Sequence, residues 1–227
     1  MARTLRLVLV VMMLVFVTRE ASAVTITETD YDVWTSSGNI GALFLPAPAT
    51  SSDFITGTAN DIGDLGNEVY FNALTGLFSY VHTVLPALGQ DDNERFATEF
   101  APAGFTGTAG WSFGDAFTAG GAGNDTDFAI TESGSAFIRW SAFAPSSPLA
   151  DLWDGLEPIT FFYVSTKGPG LPNALYNLSG DEVGTGTSYA PTPEPGSMLL
   201  LGSGLAAVYG AARRRRNQKS TSATQVG

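Results

Sequence analysis

The chain has 227 residues, no cysteine, one histidine and a formal charge of −11. The missing cysteine excludes thiol catalysis, CxxC redox chemistry and cysteine-ligated zinc, and leaves the fold to stand on packing, hydrogen bonds or bound ions. Between Val24 and Glu194 only Arg95, Arg139 and Lys167 oppose 21 acids, a formal charge of −18, and a surface of that sign repels DNA, RNA and anionic lipid.

The first 23 residues read as a secretory signal. Arg3 and Arg6 supply a positive start, and Leu7 to Val17 is an unbroken apolar run of eleven residues, too short for a hydrocarbon core of ~30 Å. Ala21 and Ala23 place small residues at −3 and −1 for cleavage before Val24. From Val24 to Gly180 the body reads as one all-β domain of ordinary size. Alternation of period two is clearest from Leu77 to Leu85. There Phe78, Tyr80, His82 and Val84 share one face, and Ser79, Val81 and Thr83 the other. Ser135 to Phe143 alternates likewise. Ile159 to Thr166 is aromatic and β-branched on both faces, which suits a strand buried on two sides.

Weaker strands are expected at Val24–Thr27, Tyr31–Trp34, Glu68–Phe71, Glu94–Phe100 and Asp127–Thr131, and a short helix near Leu149–Leu156. Turn clusters fall at Ser36–Asn39, Asp61–Asp64, Gly89–Asn93 and Ala119–Asp125. About eight short strands with polar turns predict a β-sandwich of jelly-roll type. Residues 181–192 read as a flexible stalk.

The tail has three parts. Pro193-Glu194-Pro195 is extended, since proline fixes φ and removes a donor. Residues 198–212 carry no charge; as a helix they span about 22 Å, short for a bilayer but workable with local thinning. Arg213, Arg214, Arg215 and Arg216 follow directly and place that end in the cytoplasm by the positive-inside rule. The body then lies outside, in agreement with the signal. The order of these parts over Thr192–Gln218 closely resembles the PEP-CTERM sorting signal. The resemblance implies recognition in the inner membrane by an exosortase, a transpeptidase-like membrane enzyme. It also implies a cut near the Pro-Glu-Pro motif, then release or transfer to the cell surface, in bacteria that make exopolysaccharide and biofilm.

Catalytic signatures are missing from the body. One histidine cannot build a histidine metal site, and no GxSxG elbow accompanies His82. Gly120-Gly121-Ala122-Gly123-Asn124-Asp125 looks like the opening of a calcium-binding nonapeptide. Asp127 then stands at the apolar position and no second copy follows. Asn124, Asp125 and Asp127 offer oxygen ligands to calcium, with an ordinary Gly/Asp turn as the plainer reading. Asp61, Asp64, Asn67 and Glu68 are a weaker oxygen-rich group. Trp34, Trp111, Trp140 and Trp153 read as core, with Trp153 the most exposed of the four.

Function is therefore expected to be that of an exported, non-enzymatic cell-surface or extracellular-matrix protein. It needs no cofactor and has the exosortase, transiently the inner membrane and exopolysaccharide as partners, and no nucleic acid. A carbohydrate-binding or calcium-dependent adhesive module is the alternative, and a glycan hydrolase a more distant one.

Overall fold

Aromatic and β-branched residues alternate with small or polar ones along the body, and Gly and Pro cut each run before a long helix forms. The computed structural model describes residues 25–45, 52–90, 93–113, 127–132, 137–143, 153 and 155–192. In chain order these form β1 (Thr27–Glu28), α1 (Tyr31–Ser36), β2 (Ala42–Leu43), β3 (Ser52–Thr56), β4 (Asp61–Asn72), β5 (Leu77–Pro86), β6 (Arg95–Thr98) and β7 (Phe105–Ser112). Then come β8 (Asp127–Glu132), β9 (Ile138–Phe143), β10 (Ile159–Ser165), β11 (Ala174–Ser179) and β12 (Val183–Ser188). The protein is all-β, as expected.

The strands belong to one hydrogen-bonded sheet, in the order β1-β7-β10-β5-β4-β3-β12-β11-β6-β9-β8, with β2 also on β4. Among the described residues only the β1–β7 pair is parallel. Near the two ends of this order β7 and β8 approach each other. The Trp111 and Phe128 rings lie 5.7 Å apart, and Trp140 of β9 donates from Nε1 to the Gly110 carbonyl of β7 at 3.1 Å. The expected two-sheet sandwich is thus a single sheet curled into a nearly closed barrel. Its long strand β4 turns the corner, pairing with β3 along its first half and with β2 near its end, and a register break between Asp53 and Ile55 bends β3 there.

The barrel is filled by side chains. Phe54, Tyr80, Phe96, Phe128, Trp140, Trp153, Phe161, Tyr163 and Tyr176 are all buried in one cluster. Every residue of β10 is buried, as its two-sided apolar pattern predicts. Its outer face, Phe162 and Val164, joins Val81 of β5 beneath α1. Tyr31 and Trp34 of that helix pack tilted against Phe162, with ring centroids 5.5 and 5.7 Å away. Trp34 Nε1 donates to Ser79 Oγ at 3.1 Å, and Ser112 Oγ donates to Asp32 Oδ2 at 2.8 Å.

Four local expectations change. Tyr31–Trp34 is helical, because Asp30 caps the turn by accepting the Val33 amide at 2.9 Å. Asp61–Asp64 opens β4 instead of turning, since Gly63 pairs opposite Pro86 and Asp64 opposite Leu85. Within the expected helix at Leu149–Leu156, Trp153 forms an isolated bridge with Asn93, and Gly155–Leu156 is a turn. Half of the expected stalk is strand β12. Gly184 and Gly186 face inward, where Phe54, Ile62 and Leu65 leave no room. A Cβ on Gly184 would sit 2.8 Å from Ile62 Cδ1. Glycines that composition marks as flexible are here a packing requirement.

The β4–β5 hairpin is closed by Asn72. Its Oδ1 accepts the Leu74 and Thr75 amides, and its Nδ2 donates to the Gly38 and Asn39 carbonyls. Asn72→Ala is expected to cost roughly 1–3 kcal/mol, since the buried Asn72 side chain makes four bonds that are lost together. Urea unfolding of the mature protein measures it.

Candidate functional site

The junction between the barrel and its tail is the functional region that the structure describes best. Past β12 the chain continues as Tyr189-Ala190-Pro191 and stays docked. The Gly170 amide donates to the Ala190 carbonyl at 2.9 Å, Pro169 bridges to Pro191, and Tyr176 Oη donates to the Tyr189 carbonyl at 2.8 Å. Tyr176 is fixed in turn by Tyr163 Oη at 3.0 Å. Burial raises the pKa of both phenols far above the ordinary value, and they are neutral donors at any physiological pH. Pro191 is buried and Thr192 exposed. The docked segment thus runs to Pro191, two positions before Pro193, where sequence suggested a loose spacer.

The other terminus is docked as well. Thr27 and Glu28 pair with Thr108 and Ala109, and the Thr29 amide donates to the Ala109 carbonyl at 3.0 Å. A Cβ on Gly110 would lie 1.6 Å from the Thr29 oxygen, so only glycine lets the chain pass this close. Because β1 is parallel to β7, residues preceding Thr27 run toward the start of β7. Phe105 there stands opposite Ser165, the end of β10. The Pro169–Pro191 bridge lies four residues beyond Ser165. Both terminal segments consequently leave the barrel at the same end.

The residues singled out from sequence are placed as follows. Ala21, Ala23, Asn124, Asp125, Pro193, Glu194, Pro195 and Arg213 to Arg216 lie outside the described residues. Asp127 opens β8, opposite Phe143. Among the described residues no group of three or more His, Cys, Asp or Glu is arranged to hold a metal ion. The group Asp61, Asp64, Asn67 and Glu68 does not converge. Asp61 and Asp64 face out, with Asp53 opposite Asp64. Partial burial, then repulsion from Asp61 and Asp53, raises the Asp64 pKa. Asn67 instead points inward, its Oδ1 2.9 Å from His82 Nδ1.

His82 is a packed core residue. It lies between Phe96, Tyr163 and Tyr176 with ring centroids 5.8, 5.9 and 4.4 Å away. Burial lowers its pKa to about 3, so it is neutral at physiological pH. Trp140 and Trp153 are fully buried. Trp153, read as the most exposed, is instead anchored inside by its Nε1–H, which donates to the Glu157 carbonyl at 2.8 Å. On the outside, Glu94, Arg95, Ser141 and Ala142 line a shallow depression of about 260 Å³, where Arg95 pairs with Glu94 at 3.2 Å.

A barrel that passes directly into a proline-bounded tail with an uncharged apolar stretch and a terminal arginine block has the layout of a sorted export substrate. Residues 191–216 match the family model of the PEP-CTERM protein-sorting motif. The chain carries that motif, which implies exosortase-dependent sorting of an exported protein. No curated protein and no solved structure matches the chain.

Proposed function

We propose that the protein is a non-enzymatic cell-surface or extracellular-matrix barrel of an exopolysaccharide-producing bacterium. It is held in the inner membrane by residues 198–212 until an exosortase cuts near Pro193-Glu194-Pro195. The observation that carries this reading is the sorting motif at 191–216. A packed interior supports a structural role: among the described residues the barrel centre is filled by aromatic rings. Stacking of sugars on Trp140 or Trp153 draws no support, because both indoles are buried. Calcium at Asn124, Asp125 and Asp127 remains a proposal for titration. A rise in melting temperature with millimolar calcium supports it, and an unchanged one removes it.

Mass spectrometry of both ends of the mature protein tests the main reading. The expected product begins at Val24 and ends between Thr192 and the apolar stretch. Glu194→Ala with Pro195→Ala is expected to accumulate a full-length tail in the membrane fraction. A wild-type protein that keeps its arginine block at maturity refutes the processing.

A further inference from the structure

We propose that the barrel end through which both terminal segments leave is a lipid-contacting face, resting on the membrane surface while the tail is attached. This rests on the anchoring reading above and adds an orientation to it.

Register defines that end. It holds the β4–β5 hairpin, with Asn72 opposite Leu77 and Phe71 opposite Phe78, the Ser165–Phe105 pair, and the bridge from Pro169 to Pro191. Large apolar side chains stand out there. Leu74, on the hairpin tip, is 97% exposed, Leu171 is 74% and Phe44 is 49%. Phe44 packs on Phe71 and Phe78 at 6.0 and 5.3 Å, and Gly168 lies flat against the Phe78 ring. Phe44 thus extends a cluster of aromatic rings toward this end. Lys167 also lies in this loop, and exposed Glu99 follows β6 on the same side.

The far end differs in charge. It exposes Leu88, Leu156 and Val183, but Asp61, Asp64, Glu94 with its partner Arg95 and the Asp181–Glu182 turn stand around it, a net negative set close to the Pro86 end of β5 or the β11–β12 turn. Anionic lipid repels that end.

Chain length decides between the two. Six residues separate Pro191 from Met198, seven Cα–Cα steps with a reach of at most about 25 Å. The ten residues of β5 extend about 33 Å. Tilted by the roughly 35–45° usual in a barrel, β5 rises about 25 Å along the barrel axis. The acidic end thus reaches the bilayer only with the connection drawn out straight along the whole wall, whereas the end that carries Pro191 reaches it with the connection relaxed. Because the connection is covalent, a few leucines suffice for contact, the effective concentration of lipid at that face being high.

The natural absence of cysteine makes a single-site test clean. The full chain is reconstituted in vesicles of phosphatidylethanolamine with a minor share of phosphatidylglycerol. It carries Leu74→Cys, Leu171→Cys, Leu88→Cys or Leu156→Cys, each labelled with a polarity-sensitive fluorophore. All four sites are exposed, and an unchanged melting temperature verifies each fold. Expected is several-fold stronger quenching by a headgroup-level lipid quencher at positions 74 and 171 than at 88 and 156. Equal quenching at all four sites, or stronger quenching at 88 and 156, overturns the face while leaving the anchor intact. A chain that does not float with the vesicles overturns the anchor and the proposal together.

Discussion

Phe161→Ala is expected to remove roughly 3–5 kcal/mol of stability, the range for deleting a fully buried aromatic ring. Phe161 sits at the centre of β10, and its ring lies 5.0 Å from Phe96, 5.1 Å from Phe128, 5.6 Å from Trp140 and 5.4 Å from Trp153. These partners come from β6, β8, β9 and the segment bridged to Asn93. One ring therefore holds the half of the barrel that follows β5 in the chain to the strand that pairs with β5. Their rigidity prevents collapse into the cavity, which places the cost at the upper part of the range. In urea the midpoint is expected to fall by roughly 2 M. Phe161→Leu, which keeps most of the volume, is expected to lose far less. A midpoint shift of the same size for both variants would show that volume at this position is not what matters. The loss would then lie in the β10 ladder itself.

The same strand marks how far sequence reaches. β5 and β10 were legible because their patterns carry their environment: alternation on one, apolar residues on both faces of the other. Tyr31–Trp34 was not, since a six-residue helix gives too short a period to detect. Its capping residue, Asp30, outweighs the β propensity of Tyr, Val and Trp. β12 hid behind Gly184 and Gly186, whose emptiness is required by Ile62 and Phe54, residues more than a hundred positions away in the chain. Asp61–Asp64 read as a turn from its Asp and Gly residues, yet in the barrel it opens β4, with Asp64 opposite Asp53 although like charges across a pair are unfavourable. Closure into a barrel depends on which strands neighbour each other, and periodicity holds no record of that. At the functional region the division is similar. The sorting motif is local and was readable. The docking of Tyr189–Pro191 depends on Gly170 and Tyr176, and the shared exit of both termini depends on the parallel β1–β7 pair.

Acid is expected to destabilise the barrel through His82. Burial lowers its folded pKa to about 3, whereas an unfolded chain binds the proton near 6.5. Below pH 6.5 the unfolded state takes up a proton that the folded state refuses. Stability from this group is therefore fully present above about 6.5 and is lost progressively as pH falls toward about 3. At pH 4 the loss amounts to about 3 kcal/mol. The groups around the imidazole do not offset it: Asn67 and Phe96 are uncharged, and Tyr163 and Tyr176 stay protonated throughout this range. Asp64 acts in the opposite sense, since its raised pKa favours proton uptake by the folded state, but it faces solvent and its contribution is screened. The measurement is the difference in unfolding free energy between wild type and His82→Gln from pH 4 to pH 8. A variant that costs stability at pH 8 yet flattens the acid limb isolates the histidine. If both proteins lose stability in parallel, the surface carboxylates set the acid response, and the buried imidazole finds a counter-charge when it is protonated.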